Sequence, residues 1–565
     1  MKSTRTNDLA GIYCNPLNLN YRVQHPNSGD HQFDKSVWLR EGADPSVAIF
    51  NGAYYLFSSV SDCYWRSRDL VNWDILAPRD IANLPILRNY APTAVVIGDT
   101  LYLKDGNGKG FVHCTETPDD PDSWRPLPDT NWRLHDAQFF LDDDRRLWIA
   151  YGCSPTGKLF LQELDIRTFL PTGPAHEFMM PDVANHGWER ACGNNDHEDH
   201  GWVEGPQLFK RNGRYYFIYT CPTIDNVYAN GVYVADTITG PYRYQAHNPV
   251  TQKLTGFATG AGHGEIFRDL HGNWWTLTCQ NIYVLDRFER RICMFPTGFD
   301  EDGLLNSDTW LGDYPTRVPN TRRAEPMTSE WMGWHLLSRN RPATASSALP
   351  AHPPQLAVEE DIRTWWSAAS GEPGEWLEID LGQVCEVAAV QVNFAEQDLT
   401  CGVEENPAAR YQVLGSQDGK HWESLVDQRK NTRDITHDFT VLKGAPRARH
   451  VRLVNTRMPY GGKFAIRGLR VFGSGAGAPP VAPAFTVTRH PNDAREAVIR
   501  WQPVPGADGY VVRYGIAAHK LYRANQIYDR CEYVCRSLNA GVAYQVTVDT
   551  FNANGYAQGT EFIGI

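Results

Sequence analysis

The sequence is short of several things, and each shortage narrows what the chain can be. No stretch of its 565 residues approaches the roughly 18 consecutive apolar residues of a membrane-spanning helix. The N-terminus, MKSTRTNDLAGIYCNP, has no apolar core of the kind that marks a secretory leader. As written, the chain is therefore expected to be cytoplasmic and to have no membrane partner. If a leader has been trimmed, the expectation becomes secreted or periplasmic. Basic residues are in deficit: 54 Lys and Arg stand against 66 Asp and Glu, a net charge of −12. That balance argues against the clustered positive footprint of a nucleic-acid binder. No CxxC pair occurs among the 12 cysteines, which argues against a zinc ribbon. Cys531 and Cys535 are near neighbours, but on one strand they stand too far apart to bridge. The cysteines are expected to be mostly reduced, small apolar residues of the core. The run His197, Glu198, Asp199, His200 has metal-binding residue types but not the HExxH spacing, so it reads as a solvated loop.

What the sequence does have is turn-formers and aromatics, with 47 Gly, 36 Pro, 18 Trp and 26 Tyr. These suit short strands joined by tight turns. The length implies three or four domains. A weak unit recurs five times before residue 310: ADPSVAIFNGAYYLFSS from Ala43, APTAVVIGDTLYLKDG from Ala91, HDAQFFLDDDRRLWIAYG from His135, VEGPQLFKRNGRYYFIYT from Val203 and GHGEIFRDLHGNWWTLTC from Gly262. Each reads as two strands around a tight turn with a further strand or two behind. Radial repetition of such units is a β-propeller. The fold class is therefore all-β, a five-bladed β-propeller over residues 1–315.

Blades of a propeller begin near the central channel. Polar residues open four of the five units: Asp44, Asp136, Glu204 and His263. Cleaving an acetal takes one carboxylic acid to protonate the leaving oxygen and a second carboxylate to activate water or attack. Three acids converging from separate blades supply both, with a third left to tune a pKa. A neutral oligosaccharide or polysaccharide is the natural partner.

The motifs ADPSV, HDAQFF, VEGPQLF and GHGEIF, in that order at blade starts, resemble glycoside hydrolase family 43. The resemblance covers most of residues 15–310. It implies Asp44 as general base, Glu204 as general acid, and Asp136 as orienter and pKa modulator of the acid. It implies no cofactor for the chemistry, with a channel calcium or sodium ion near His263. It suggests Arg291 as the sugar-contacting arginine, with Arg290 and Arg287 as alternatives. Trp65 and Tyr90 are candidate walls of the pocket, and Trp188 and Trp202 candidate walls of a leaving-group subsite. The implied substrates are α-L-arabinofuranosides or β-D-xylosides, with β-D-galactofuranosides third, cleaved by an exo-acting enzyme that inverts configuration. The rival of another class is a catalytically inactive carbohydrate-binding propeller. With Asp136 beside it, Glu204 is expected to have a raised pKa.

Residues 316–334, rich in proline and polar groups, read as a connector rather than a strand. Residues 335–473 alternate as a β-sandwich, and WLEIDLG, SQDGKHW and GLRVFG resemble a discoidin-like (coagulation factor type C) domain, a candidate carbohydrate-binding module. Residues 474–484 are a Gly, Ala and Pro linker. Residues 485–565 resemble a fibronectin type III domain, with Trp501, Tyr510 and a tyrosine-corner-like Tyr544. All the proposed catalytic residues precede residue 330, so the propeller is expected to act without the two sandwiches.

Overall fold

The computed structural model describes residues 11–24, 38–128, 130–222, 224, 226–325 and 329–565. Five antiparallel sheets follow one another along the chain, each with its strands in sequence order. Blade 1 is Ala43–Phe50, Ala53–Ser59, Tyr64–Ser67 and Trp73–Leu76. Blade 2 is Thr93–Ile97, Thr100–Lys104, His113–Thr115 and Arg125–Pro126. Blade 3 is Gln138–Leu141, Leu147–Tyr151, Lys158–Leu164 and His176–Met179. Blade 4 is Glu204–Arg211, Arg214–Cys221, Ala229–Ala235 and Arg243–Tyr244, with Thr251–Gln252 added to its third strand. Blade 5 is Thr259–Arg268, Trp274–Asn281, Arg290–Phe299 and Leu305–Ser307. The first strand of each blade contacts the first strand of the next all the way round, which puts these strands on the channel.

One position on those inner strands closes the ring. Ser46 Oγ accepts a hydrogen bond from Ala94 N (3.1 Å), Thr93 Oγ1 from Phe139 N (2.8 Å) and Gln138 Oε1 from Leu208 N (3.3 Å). Gln207 Oε1 accepts from Ile266 N (2.8 Å), and Glu265 Oε2 from Val47 N (3.0 Å). Each blade thus holds the backbone of the next, and Glu265 ties blade 5 back to blade 1. Inner strands leave backbone N–H groups that a buried channel must satisfy, and these side chains do it. Between blades the seams are apolar: Phe57, Tyr64, Leu84 and Leu101 fill the first, and Trp148, Trp188, Phe217 and Tyr219 the third. At the closing seam the chain's own start is a wedge. Tyr13, Leu17, Leu19 and Tyr21 pack with Trp65, Trp275 and Met294.

The segment expected to be a plain connector is partly a strand. Thr316–Arg317 pairs with Ile12–Tyr13, because the N-terminal wedge offers a free edge beside it. Behind it stands a sandwich whose central strand, Trp376–Phe394, pairs with Arg447–Arg457 along its first half and with Ala465–Ser474 and His437–Val441 along its second. The last module has two sheets, one of Phe485–Arg489, Ala497–Trp501 and Glu532–Cys535, the other built on Gly509–Gly515 and Gln545–Asn552. Trp501, Tyr510 and Tyr544 lie in its core, and Tyr544 Oη accepts from Asn539 N (3.0 Å). None of the twelve cysteines is in a disulfide. Among the described residues no helix is long and apolar enough to cross a membrane.

Neither sandwich hangs loose. Arg190 of the insertion between blades 3 and 4 is buried against Asp493 and Glu496 of the last module, and Arg495 reaches back to Glu198. Lys520 binds Asp300 on blade 5 (2.9 Å). The middle sandwich meets blade 5 and the loop that leads into its third strand through the buried Arg291 and Arg467, described below.

Candidate functional site

Two residues before each ring-closing side chain, the backbone turns left-handed. These positions are Asp44 (φ 48°), Ala91 (φ 49°), Asp136 (φ 47°), Gly205 (φ 53°) and His263 (φ 35°). Register shifts mark the same place in blades 1, 4 and 5. Such bulges re-aim side chains, and here they turn them from the sheet into the channel mouth. A non-glycine residue there costs of order 1–3 kcal/mol, a strain typical of functional sites. The alignment is not uniform. Glu204 sits one residue earlier in its unit, at the place that Tyr90 holds in blade 2, and Gly205 takes the strained position.

The three acids do meet, and His263 stands among them. Its Nδ1 lies 3.3 Å from Asp44 Oδ1, 3.8 Å from Asp136 Oδ2 and 3.9 Å from Glu204 Oε1. A carboxylate oxygen of Asp136, one of Glu204 and Cys153 Sγ all lie within 4.8 Å of one another. Asp44 accepts from Ser59 Oγ (2.6 Å) and from Arg290 Nη1 (2.9 Å). Arg290 Nη2 also binds Glu41 Oε1 (2.8 Å), an acid buried behind the site. Glu204 accepts from Tyr228 Oη and, at 3.4 Å, from Cys153 Sγ.

These neighbours separate the acids electrostatically. Burial pushes the Asp44 carboxyl up, but Arg290, His263 and Ser59 together hold it below its ordinary value. Burial raises Asp136 to about 7; His263 opposes this in part, and the charges of Glu204 and Asp44 add to it. For Glu204 the burial effect is overcome by His263 and Tyr228, and its pKa is lowered. The expectation of a raised Glu204 is thus corrected. The close Asp136–Glu204 pair does retain a proton, but it sits on Asp136, because Glu204 has the better donors. His263 is raised to about 9: burial disfavours its charge, and the three carboxylates outweigh burial. At neutral pH the ring is therefore a cation that donates rather than ligates.

Three other assignments are corrected. Arg291 does not face the three carboxylates. It is fully buried on the opposite side of its strand, with Nε on His437 (3.2 Å) and Nη2 near Glu289 and Glu396. Successive residues of a strand point to opposite faces, so the arginine at the acids is Arg290. Trp65 is not a pocket wall; it is fully buried in the closing seam, edge-on to Tyr21. Trp188 likewise belongs to a seam, its Nε1 donating to Tyr244 Oη (2.8 Å). Tyr90 does lie at the site. Glu41, Arg290 and Asp44 all act on its hydroxyl, and its ring tilts against Phe288 at 5.9 Å. Trp202, two residues before Glu204, is 44% exposed. Sequence reasoning did not find Glu41, Ser59, Cys153 or Tyr228, which come from later or earlier points in the blade units and carry no pattern of their own.

Residues 33–305 match the family model for glycosyl hydrolases family 43. The chain carries a family 43 glycosyl hydrolase domain. Residues 342–468, behind the family 43 domain, match the F5/8 type C domain. The chain is 26% identical over 304 residues to a β-D-galactofuranosidase of Aspergillus niger, covering 46% of this chain and 80% of that protein. It is 26% identical over 265 residues to a xylan 1,3-β-xylosidase of a Vibrio species, covering 41% of this chain and 46% of the relative. A solved structure described as a glycoside hydrolase aligns with a TM-score of 0.44 at 18% identity, over 76% of this chain and 97% of that one.

Proposed function

We propose that the protein is an exo-acting, inverting glycosidase that releases a terminal pentose or furanose from an oligosaccharide or polysaccharide. The observation that carries this reading is the meeting of three carboxylates from blades 1, 3 and 4 around one histidine, with Asp44 and Asp136 buried and Glu204 nearly so. Asp44, kept ionised by Arg290 and Ser59, is the base. It takes a proton from water as the water oxygen bonds to the anomeric carbon. Glu204 delivers a proton to the glycosidic oxygen as the carbon–oxygen bond breaks on the other face. Asp136 stores that proton beside Glu204 and passes it across. Arg290 and Tyr90 line the sugar's pocket, and exposed Trp202 offers a ring to the leaving group. The named relatives act on a β-galactofuranoside and a β-xyloside, and the substrates follow that range, with α-L-arabinofuranosides beside them. We read the last sandwich as fibronectin type III-like and without chemistry.

The test is hydrolysis of aryl β-D-galactofuranoside, β-D-xyloside and α-L-arabinofuranoside, with proton NMR of the first sugar formed. Inversion is expected. An anomer matching the substrate would remove Asp44 as a simple base, and binding without turnover would favour an inactive carbohydrate-binding propeller.

A further inference from the structure

The strand that carries Arg290 is entered through the loop 282–289, and the middle sandwich holds both ends of that loop. At its start, Arg363 Nη2 donates to Asn281 O (3.1 Å), and also to Asn226 Oδ1 and Thr259 Oγ1 (2.6 Å each). Ile362 packs on Ile282, Phe257 and Ala258. At its end, Arg467 Nη2 donates to Glu289 Oε1 (2.8 Å) and Nη1 to Ile362 O (3.1 Å). Arg467 and Glu289 are both buried, so this contact is shielded from solvent and salt.

Glu289 is the knot of the loop. Its other carboxylate oxygen accepts from Val284 N (3.3 Å) and Leu285 N (3.0 Å), and its carbonyl accepts from Ile282 N (2.8 Å). The neighbouring Phe288 lies against Tyr90 on one side and beneath the Arg290 guanidinium, 5.2 Å away, on the other. Arg290 in turn holds Asp44 and Glu41. A continuous path of bonded or packed groups therefore runs from Arg467 in the sandwich to the carboxylate at the mouth of the propeller.

We infer that Arg467, a residue of the F5/8 type C domain, is a positioning residue for the propeller's active site. It fixes Glu289, and through it the loop that seats Phe288 and Arg290 against Tyr90 and Asp44. The sandwich is then the back wall of the catalytic pocket rather than a separable module. This runs against the expectation that the propeller acts without it. The inference rests on the glycosidase reading for its kinetic test, but not for its structural one.

The experiment uses the full chain with Arg467→Ala, Arg467→Lys and Glu289→Gln. Displacing reacting groups by about 1 Å costs up to 10²-fold in rate, so Arg467→Ala and Glu289→Gln are expected to lower kcat/KM by roughly 10- to 100-fold. Arg467→Lys should recover part of that loss. The acid limb of the kcat/KM profile should move upward in Arg467→Ala, because a slackened Arg290 no longer holds Asp44 down. Hydrogen exchange over residues 282–290 should rise in step. A folded Arg467→Ala protein with wild-type kcat/KM, wild-type pH profile and unchanged exchange at 282–290 would overturn the inference. If Arg467→Ala does not fold, Arg363→Ala takes its place with the same readouts and the same outcomes. If the wild type cleaves none of the three aryl glycosides, the glycosidase reading fails by itself, and the exchange measurement still decides whether Arg467 holds the loop.

Discussion

Two layers of the same five inner strands behave in opposite ways. In the ring layer every blade places an acceptor, and Ser46, Thr93, Gln138, Gln207 and Glu265 do the same work five times. Two residues nearer the mouth the blades diverge into Asp44, Ala91, Asp136, Gly205 and His263, and the backbone there is left-handed throughout. Only two residues separate a layer that holds the fold closed from one that gathers charge. A bulge makes this possible, because it lets one residue leave the ladder without disturbing the pairing that follows. The mouth layer concentrates charges that a structural ring would have no reason to collect.

If the two layers are separate in function, substitutions in each should move different quantities. The largest effect is expected at the mouth. Asp44→Asn keeps the shape of the side chain and removes the base, and kcat/KM should fall by about 10²–10⁴. Turnover near wild type in a folded variant, checked by circular dichroism, would take Asp44 out of the mechanism. Asp44 is buried and bound to Arg290, so its removal is not expected to leave stability untouched, as removal of an exposed loop acid would.

The next effect is on pH dependence. The Asp136–Glu204 pair retains a proton up to about pH 7. The rate should decline as pH rises through that value. Asp136→Asn removes the proton store and the like charge, so the basic limb should move toward lower pH, where Glu204 by itself loses its proton. A limb that stays in place would assign it to another group.

In the ring layer the residue with most at stake is Glu265, which closes blade 5 onto blade 1. Burial raises its carboxyl to about 7, against an ordinary value of 4.5. A raised folded-state pKa means that the folded form binds the proton more tightly. Its stabilising contribution is complete below about pH 4.5 and is lost as pH rises through about 7. Glu265→Gln keeps an acceptor for Val47 N and cannot ionise. It should unfold later than wild type at pH 8, by about 3 kcal/mol, and show little difference at pH 4.5. Equal stability at pH 8 would mean that the channel solvates the charge.

The smallest effect is expected from Thr93→Val, which removes the acceptor for Phe139 N. Losing one buried bond should cost about 1 kcal/mol in urea unfolding and leave kcat/KM unchanged. A tenfold rate loss there would show that the two layers are coupled.

The carboxylates were legible because each stands in a short motif at the head of a hairpin, and heads of hairpins converge in any propeller. The arginine was misplaced by one residue. In Glu289–Arg290–Arg291 the residue types are all compatible with either face, and only the register with Trp274–Asn281 says which one points to the channel. Trp65 was misread for a related reason: an aromatic suits a sugar platform and a seam equally, and the N-terminal wedge that covers it lies more than forty residues upstream at Tyr21.

The sequence by itself determined the five-unit repeat, the sandwiches behind it and the acids at the channel, since period-two alternation, turn residues and local motifs act over a few neighbours. Tertiary structure alone decided which acid keeps the proton, which arginine meets Asp44, and that a residue at position 467 braces a loop ending at 289. Those outcomes depend on burial and on charges brought together from distant parts of the chain, and neither burial nor distance through space is written in the order of residues.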